Sequence, residues 1–155
     1  MKPANAMAHS ALERRWDRIG LGVRCAFNPQ RPDVLHHHMR AGRRLSSLQP
    51  ERETHIQRRT LDLLLHTVAD EALPWHWRAV CLEHTTWPLA RLTSLWTRAE
   101  SSPAHTPVQL EARVQHASER LGPPHKATPP VEGGQQANPP GRHPRGEPDG
   151  THHDT

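Results

Sequence analysis

Trp77, Cys81 and His84 recur at i, i+4 and i+7, so a helix places all three on one face. A thiolate and an imidazole three residues apart can share one metal ion, and zinc or iron suits that donor pair. A complete site needs a ligand from another helix. His38 is the best placed, because it interrupts an otherwise apolar line, and Cys25 is a possible fourth donor. The plainer reading is preferred: Cys81 is a small buried hydrophobe and His84 a hydrogen-bonded core or rim histidine. No CxxC pair and no HExxH motif supports the metal site. The run His36-His37-His38 cannot chelate one ion as a helical face, since consecutive residues point about 100° apart. It reads as a solvated flank. His143, His152 and His153 could take up metal adventitiously.

A basic patch is the second candidate. His36, His37, Arg40, Arg43 and Arg44, with Arg58 and Arg59 further on, offer cations to a phosphate or to an acidic partner. No interleaved aromatics and no helix-turn-helix signature accompany them, so nucleic acid is an alternative and not the first choice. Enzyme constellations are absent: there is no phosphate-cradling glycine loop, no GxSxG elbow and no closely spaced acid pair. The expectation is a non-enzymatic protein without a cofactor.

These residues are positioned by helices. Ser10 and Glu13 have capping-box spacing, and Leu12, Trp16, Ile19, Val23 and Phe27 (with Ala26) follow as a stripe. Gly20 and Gly22 weaken that helix and mark close approach of a neighbour. Asn28-Pro29 ends it. A second helix opens at Pro32-Asp33 with the apolar line Leu35, Met39, Gly42 and Leu45. Gln49-Pro50 breaks it. A third runs from Pro50 and buries Leu61, Leu64, Leu65 and Val68, with Ile56 and Leu63 widening that side. His55, Arg58, Arg59, Asp62 and His66 form its polar stripe. The fourth is the Trp-rich segment from Pro74, kinked or restarted at Pro88 with Thr86 as cap, and continuing through Leu89, Leu92, Leu95 and Trp96. Trp16, Trp77, Trp87 and Trp96 are the expected core anchors.

No alternating apolar run argues for a strand. The fold class is therefore all-α, a small antiparallel bundle of about four helices. A short fifth helix is possible at Thr106-Pro107, with the stripe Leu110, Val114, Ala117 and Leu121 and a stop at Gly122. The expected boundaries are a flexible terminus over 1–9, the bundle over 10–100, a hinge with the extra helix over 101–122, and a disordered tail over 123–155. Ten of the 16 prolines and six of the nine glycines lie in the last 55 residues, which is why that region cannot offset its ordering entropy. The net positive charge is confined to the first hundred residues, with 15 Lys/Arg against 10 Asp/Glu; the last 55 carry 5 against 6. Two distant cysteines make no disulfide framework, and no signal peptide or membrane span is seen. A cytoplasmic location with free thiols is expected.

The segment Leu63-Leu-Leu-His-Thr-Val-Ala-Asp-Glu-Ala-Leu-Pro-Trp-His-Trp-Arg-Ala-Val-Cys-Leu-Glu-His84, followed by Trp87-Pro-Leu-Ala-Arg-Leu92, resembles the small bacterial FagA family of fumarase-associated proteins. So do Arg24-Cys-Ala-Phe-Asn-Pro29 and Leu35-His-His-His38. The likeness covers roughly residues 14–96. Genes of that family lie beside those for an iron-independent fumarase and a manganese superoxide dismutase, under iron control. The resemblance thus implies a role in adapting to iron limitation or oxidative stress, and it carries over no site residues. The combined expectation is an accessory or regulatory binding protein with an unknown protein partner. A metal-binding protein using Cys81 and His84, and a nucleic-acid-binding regulator, are the alternatives.

Overall fold

The computed structural model describes residues 3–99 and 107–124. The expected hinge at 101–103 and all but the first two residues of the expected tail lie outside them. The described residues are helical and contain no strand. Six α-helices follow in order: α1 (Pro3–Arg24), α2 (Asp33–Leu48), α3 (Glu53–Ala69), α4 (Trp75–Glu83), α5 (Thr86–Ala99) and α6 (Pro107–Leu121). A single 3-10 turn, Pro50–Arg52, leads into α3. None of the described helices is long and apolar enough to cross a membrane.

Several helix ends differ from the sequence reading. α1 starts at Pro3, inside the stretch expected to be loose, where a proline in the first turn precedes three helix-favouring alanines. Ser10 is therefore an interior residue. Its hydroxyl donates to the Met7 carbonyl at 2.9 Å and caps nothing. Glu13 instead accepts from the Arg52 guanidinium at 2.8 Å. At the other end Ala26 takes the left-handed conformation, with φ 47°. The Ala26 N–H donates to the Val23 carbonyl and the Phe27 N–H to the Gly22 carbonyl, each at 3.2 Å. That pair of bonds is a Schellman motif, and it normally carries glycine at the position Ala26 holds. It turns Phe27 out of the stripe, leaving it 77% exposed.

The Trp-rich segment is two helices. α4 stops at Glu83 and α5 begins at Thr86, so the break precedes Pro88. Pro88 then sits in the first turn of α5, where its missing N–H costs little. Thr86 does not cap that helix. Its hydroxyl donates back to the Glu83 carbonyl at 3.0 Å, and the Thr85 hydroxyl to that of Leu82 at 2.6 Å. Both hydroxyls bond carbonyls in the last turn of α4, and that of Leu82 also accepts the Thr85 N–H at 3.0 Å. Gly122 stops α6 as expected, in the left-handed region with φ 62°.

The core is organised by α3, which packs against all five other helices. One cluster joins Val23, Leu35, Leu64, Val68, Trp77, Cys81 and Leu121. A second joins Leu61, Leu65, Leu92 and Leu110, and a third joins Trp16, Leu45 and Ile56. α3 contributes to each. Polar residues are buried along it too. Thr60 and Thr67 donate to the Ile56 and Leu63 carbonyls one turn back, at 2.9 and 2.8 Å. A hydroxyl satisfied in this way exposes mainly its methyl to the core. Gln57 donates to the Ser46 hydroxyl at 3.3 Å.

Of the four expected tryptophan anchors, Trp16 and Trp77 are buried. The Trp77 indole N–H donates to the Val23 carbonyl at 3.0 Å, tying α4 to the end of α1. Trp96 is half-buried against the second cluster. Trp87 is half-buried beneath the Arg43 guanidinium, 4.3 Å from its ring centre, which is a cation–π contact and not a core position. Arg78 reaches the Val68 carbonyl at 2.7 Å and caps the negative end of α3.

Candidate partner-binding groove

The three residues weighed as metal ligands occupy three different surroundings. Cys81 is fully buried in the first core cluster, and burial pushes its thiol up to about 12. It stays protonated at neutral pH, which suits a packed hydrophobe and not a thiolate ligand. His38 is 2% exposed and stacked on Trp16, with ring centres 5.2 Å apart and planes 12° apart. His84 follows the last residue of α4, and its Nδ1 lies 2.9 Å from the Val80 carbonyl. Among the described residues, no three His, Cys, Asp or Glu side chains gather into a group able to hold a metal ion.

His38 is unlike the two histidines before it. Burial pushes it down to about 4. The nearby Trp16 carbonyl and Asp17 pull the other way without reversing the shift, and Arg59 adds to the depression. Neither ring nitrogen has a hydrogen-bond partner. Close approach is permitted by glycines: a Cβ on Gly20 would sit 3.1 Å from His38 Cε1, and one on Gly42 3.2 Å from Trp16 Nε1. Gly22, also expected to mark a close approach, would meet nothing nearer than 3.7 Å. Trp16 thus stacks on His38 and also carries the Arg59 guanidinium, which lies 4.9 Å from its ring centre.

The basic patch separates in a similar way. Arg59 is paired with Asp17 at 3.0 Å, and Arg43 lies over Trp87. His36 approaches His84, with ring centres 5.3 Å apart. Arg58 is half-buried on α3. His37, Arg40 and Arg44 remain together, and α1 adds Arg15, which sequence reasoning missed. These four rim a depression of about 300 Å³ between α1 and α2, floored by Leu12, Ile19 and Ala41. A second depression, also of about 300 Å³, shares Leu12, Arg15 and Arg44 and extends past Ala11 to Leu48 and His9. No carboxylate lines either one. Arg15, Arg40 and Arg44 form no ion pair among the described residues, whereas Arg24, Arg52, Arg91 and Arg113 each hold a carboxylate within 3.0 Å.

The groove therefore combines a strip of apolar floor with unneutralised cations on its rim. Clefts lined by one sign of charge concentrate field and attract the opposite sign. A signal for Arg15 was present in the sequence: it lies three residues after Leu12 and four before Ile19, beside the apolar stripe. Its company with Arg40 and Arg44 depends on how α1 and α2 pack. Comparisons of the chain with protein-family models, with curated proteins and with solved structures return no match.

Proposed function

We propose that the protein is a non-enzymatic accessory or regulatory binding protein that holds an acidic amphipathic segment of a partner protein in the α1–α2 groove. One observation carries this reading: Arg15, His37, Arg40 and Arg44 rim a depression that has an apolar floor and no carboxylate. An amphipathic helix laid in such a groove buries its apolar residues on Leu12, Ile19 and Ala41 and sets its acidic residues against the guanidiniums. Arginine suits that role, since its planar fork meets a carboxylate through two parallel hydrogen bonds. The helices are read as an antiparallel bundle, a frame in which α1 and α2 lie side by side along the groove. The resemblance to the fumarase-associated FagA proteins adds the physiology of iron limitation or oxidative stress. A cytoplasmic location accords with the free Cys25 and Cys81.

The same cations could hold the phosphates of a nucleic acid, so the test separates the two. Wild-type chain and an Arg40→Glu/Arg44→Glu chain are used to capture partners from iron-starved cells, and both are titrated with duplex DNA. A protein retained by the wild type, lost by the double reversal and cross-linked to the groove through an acidic segment supports the reading. Duplex binding near physiological salt that weakens steeply with added salt would replace it with the nucleic-acid reading. Equal capture by both chains would remove the groove from the account.

A further inference from the structure

His36 and His84 are 48 positions apart in sequence, yet α2 and the end of α4 bring their rings to a centre-to-centre distance of 5.3 Å with a 53° tilt. The bond from His84 to Val80 decides the tautomer. A carbonyl oxygen only accepts, so Nδ1 must carry the proton at 2.9 Å. In the neutral ring Nε2 is then left with its lone pair. A backbone carbonyl on one ring nitrogen is the usual support for a metal-binding histidine, because it fixes the ring and raises the basicity of the other nitrogen.

The separation also fits. An imidazole nitrogen binds zinc at about 2.0–2.1 Å, and the ring centre lies roughly 1 Å further along the same line. Two rings on one tetrahedral ion then have centres roughly 5 Å apart. We propose that His36 and His84 form a two-imidazole site for a borderline divalent cation of the zinc class, bridging α2 and the end of α4. Two neutral nitrogen donors favour zinc, copper, nickel or cobalt over magnesium or calcium, which require oxygen. The two remaining positions on the ion are open to water or to another donor. Cys81 and His38 take no part, since each is buried elsewhere. The site is separate from the α1–α2 groove and stands or falls without it.

A metal that links two helices binds the folded chain more tightly than the unfolded one, so it raises the melting temperature. Zn²⁺ at about ten times its dissociation constant should raise that of the full chain by roughly 5 °C. The rise should persist in His37→Gln, in Cys81→Ser and in the triple variant His143→Ala/His152→Ala/His153→Ala. It should vanish in His36→Gln and in His84→Gln. Imidazole nitrogen NMR gives a second readout on the unaltered chain: Zn²⁺ should shift Nε2 of His84 while Nδ1 keeps its proton. A rise that survives His36→Gln, or one abolished by the triple variant, would overturn the site. So would Zn²⁺ leaving the His84 Nε2 resonance unmoved.

Discussion

Replacing His38 by leucine should flatten the acid limb of the stability curve. His38 is 2% exposed, and burial holds its folded-state pKa at about 4, against an ordinary value of 6.5. As pH falls below 6.5 the unfolded chain takes up this proton and the folded chain does not. Stability is therefore complete above pH 6.5, is lost as pH falls through the interval down to about 4, and levels off below it. The lost stability at pH 4 is about 3 kcal/mol, from a separation of 2.5 units at 1.36 kcal/mol each, less the fraction of folded chain already protonated. Groups facing the ring from neighbouring helices set the depth of this effect. Arg59 from α3 deepens it and Asp17 from α1 offsets it. Asp62 and His66 line, with His38, Asp17 and Arg59, a cavity of about 390 Å³. Urea unfolding followed by tryptophan fluorescence, at intervals from pH 7 to pH 4, gives the two curves. Carboxylates and exposed histidines titrate alike in both chains and cancel in the difference. Wild type should lose about 3 kcal/mol more than His38→Leu over this range, whatever their relative stability at pH 7. Parallel curves would show that the folded chain accommodates a charged His38, and the burial argument would then fail.

Trp77→Ala should destabilise by about 3–5 kcal/mol, because it empties the centre of the first core cluster, and a melting curve like that of the wild type would contradict full burial. Trp77→Phe keeps most of the volume but leaves the Val23 carbonyl without the indole N–H, so urea unfolding should show a smaller loss of roughly 1 kcal/mol or a little more. Ala26→Gly should stabilise by about 0.5–1 kcal/mol in thermal unfolding, since glycine takes φ 47° without the Cβ clash; unchanged or lower stability would mean that unfolded-state entropy outweighs the relieved strain. A thiol reagent at neutral pH should modify the exposed Cys25 quickly and reach the buried Cys81 only on unfolding, and two equally fast thiols by mass spectrometry would refute that burial.

Helix content was legible from periodicity and from proline and glycine punctuation. The line Leu35, Met39, Gly42 and Leu45 is buried on α2, Trp77 and Cys81 are buried on α4, and Gly122 ends α6. Such patterns report where a side chain points around its own helix axis. They do not report what lies across the interface. Packing against five helices buries Thr60, Thr67 and Gln57 of α3 as well as Leu61, Leu64 and Leu65, which narrows its wet face to the stripe His55, Arg58, Arg59, Asp62 and His66. In the run His36-His37-His38, the 100° step between neighbours was readable from the sequence. Tertiary structure alone decided that the first meets His84, the second rims a groove with Arg15, and the third stacks on Trp16. Phe27 continued the stripe in sequence but lies beyond the turn made by Ala26. The helices and most of their inward faces could be read from residue order, because they follow from bonds and burial local to one segment. The groove and the histidine pair are properties of two surfaces in contact, and only the packed structure contains them.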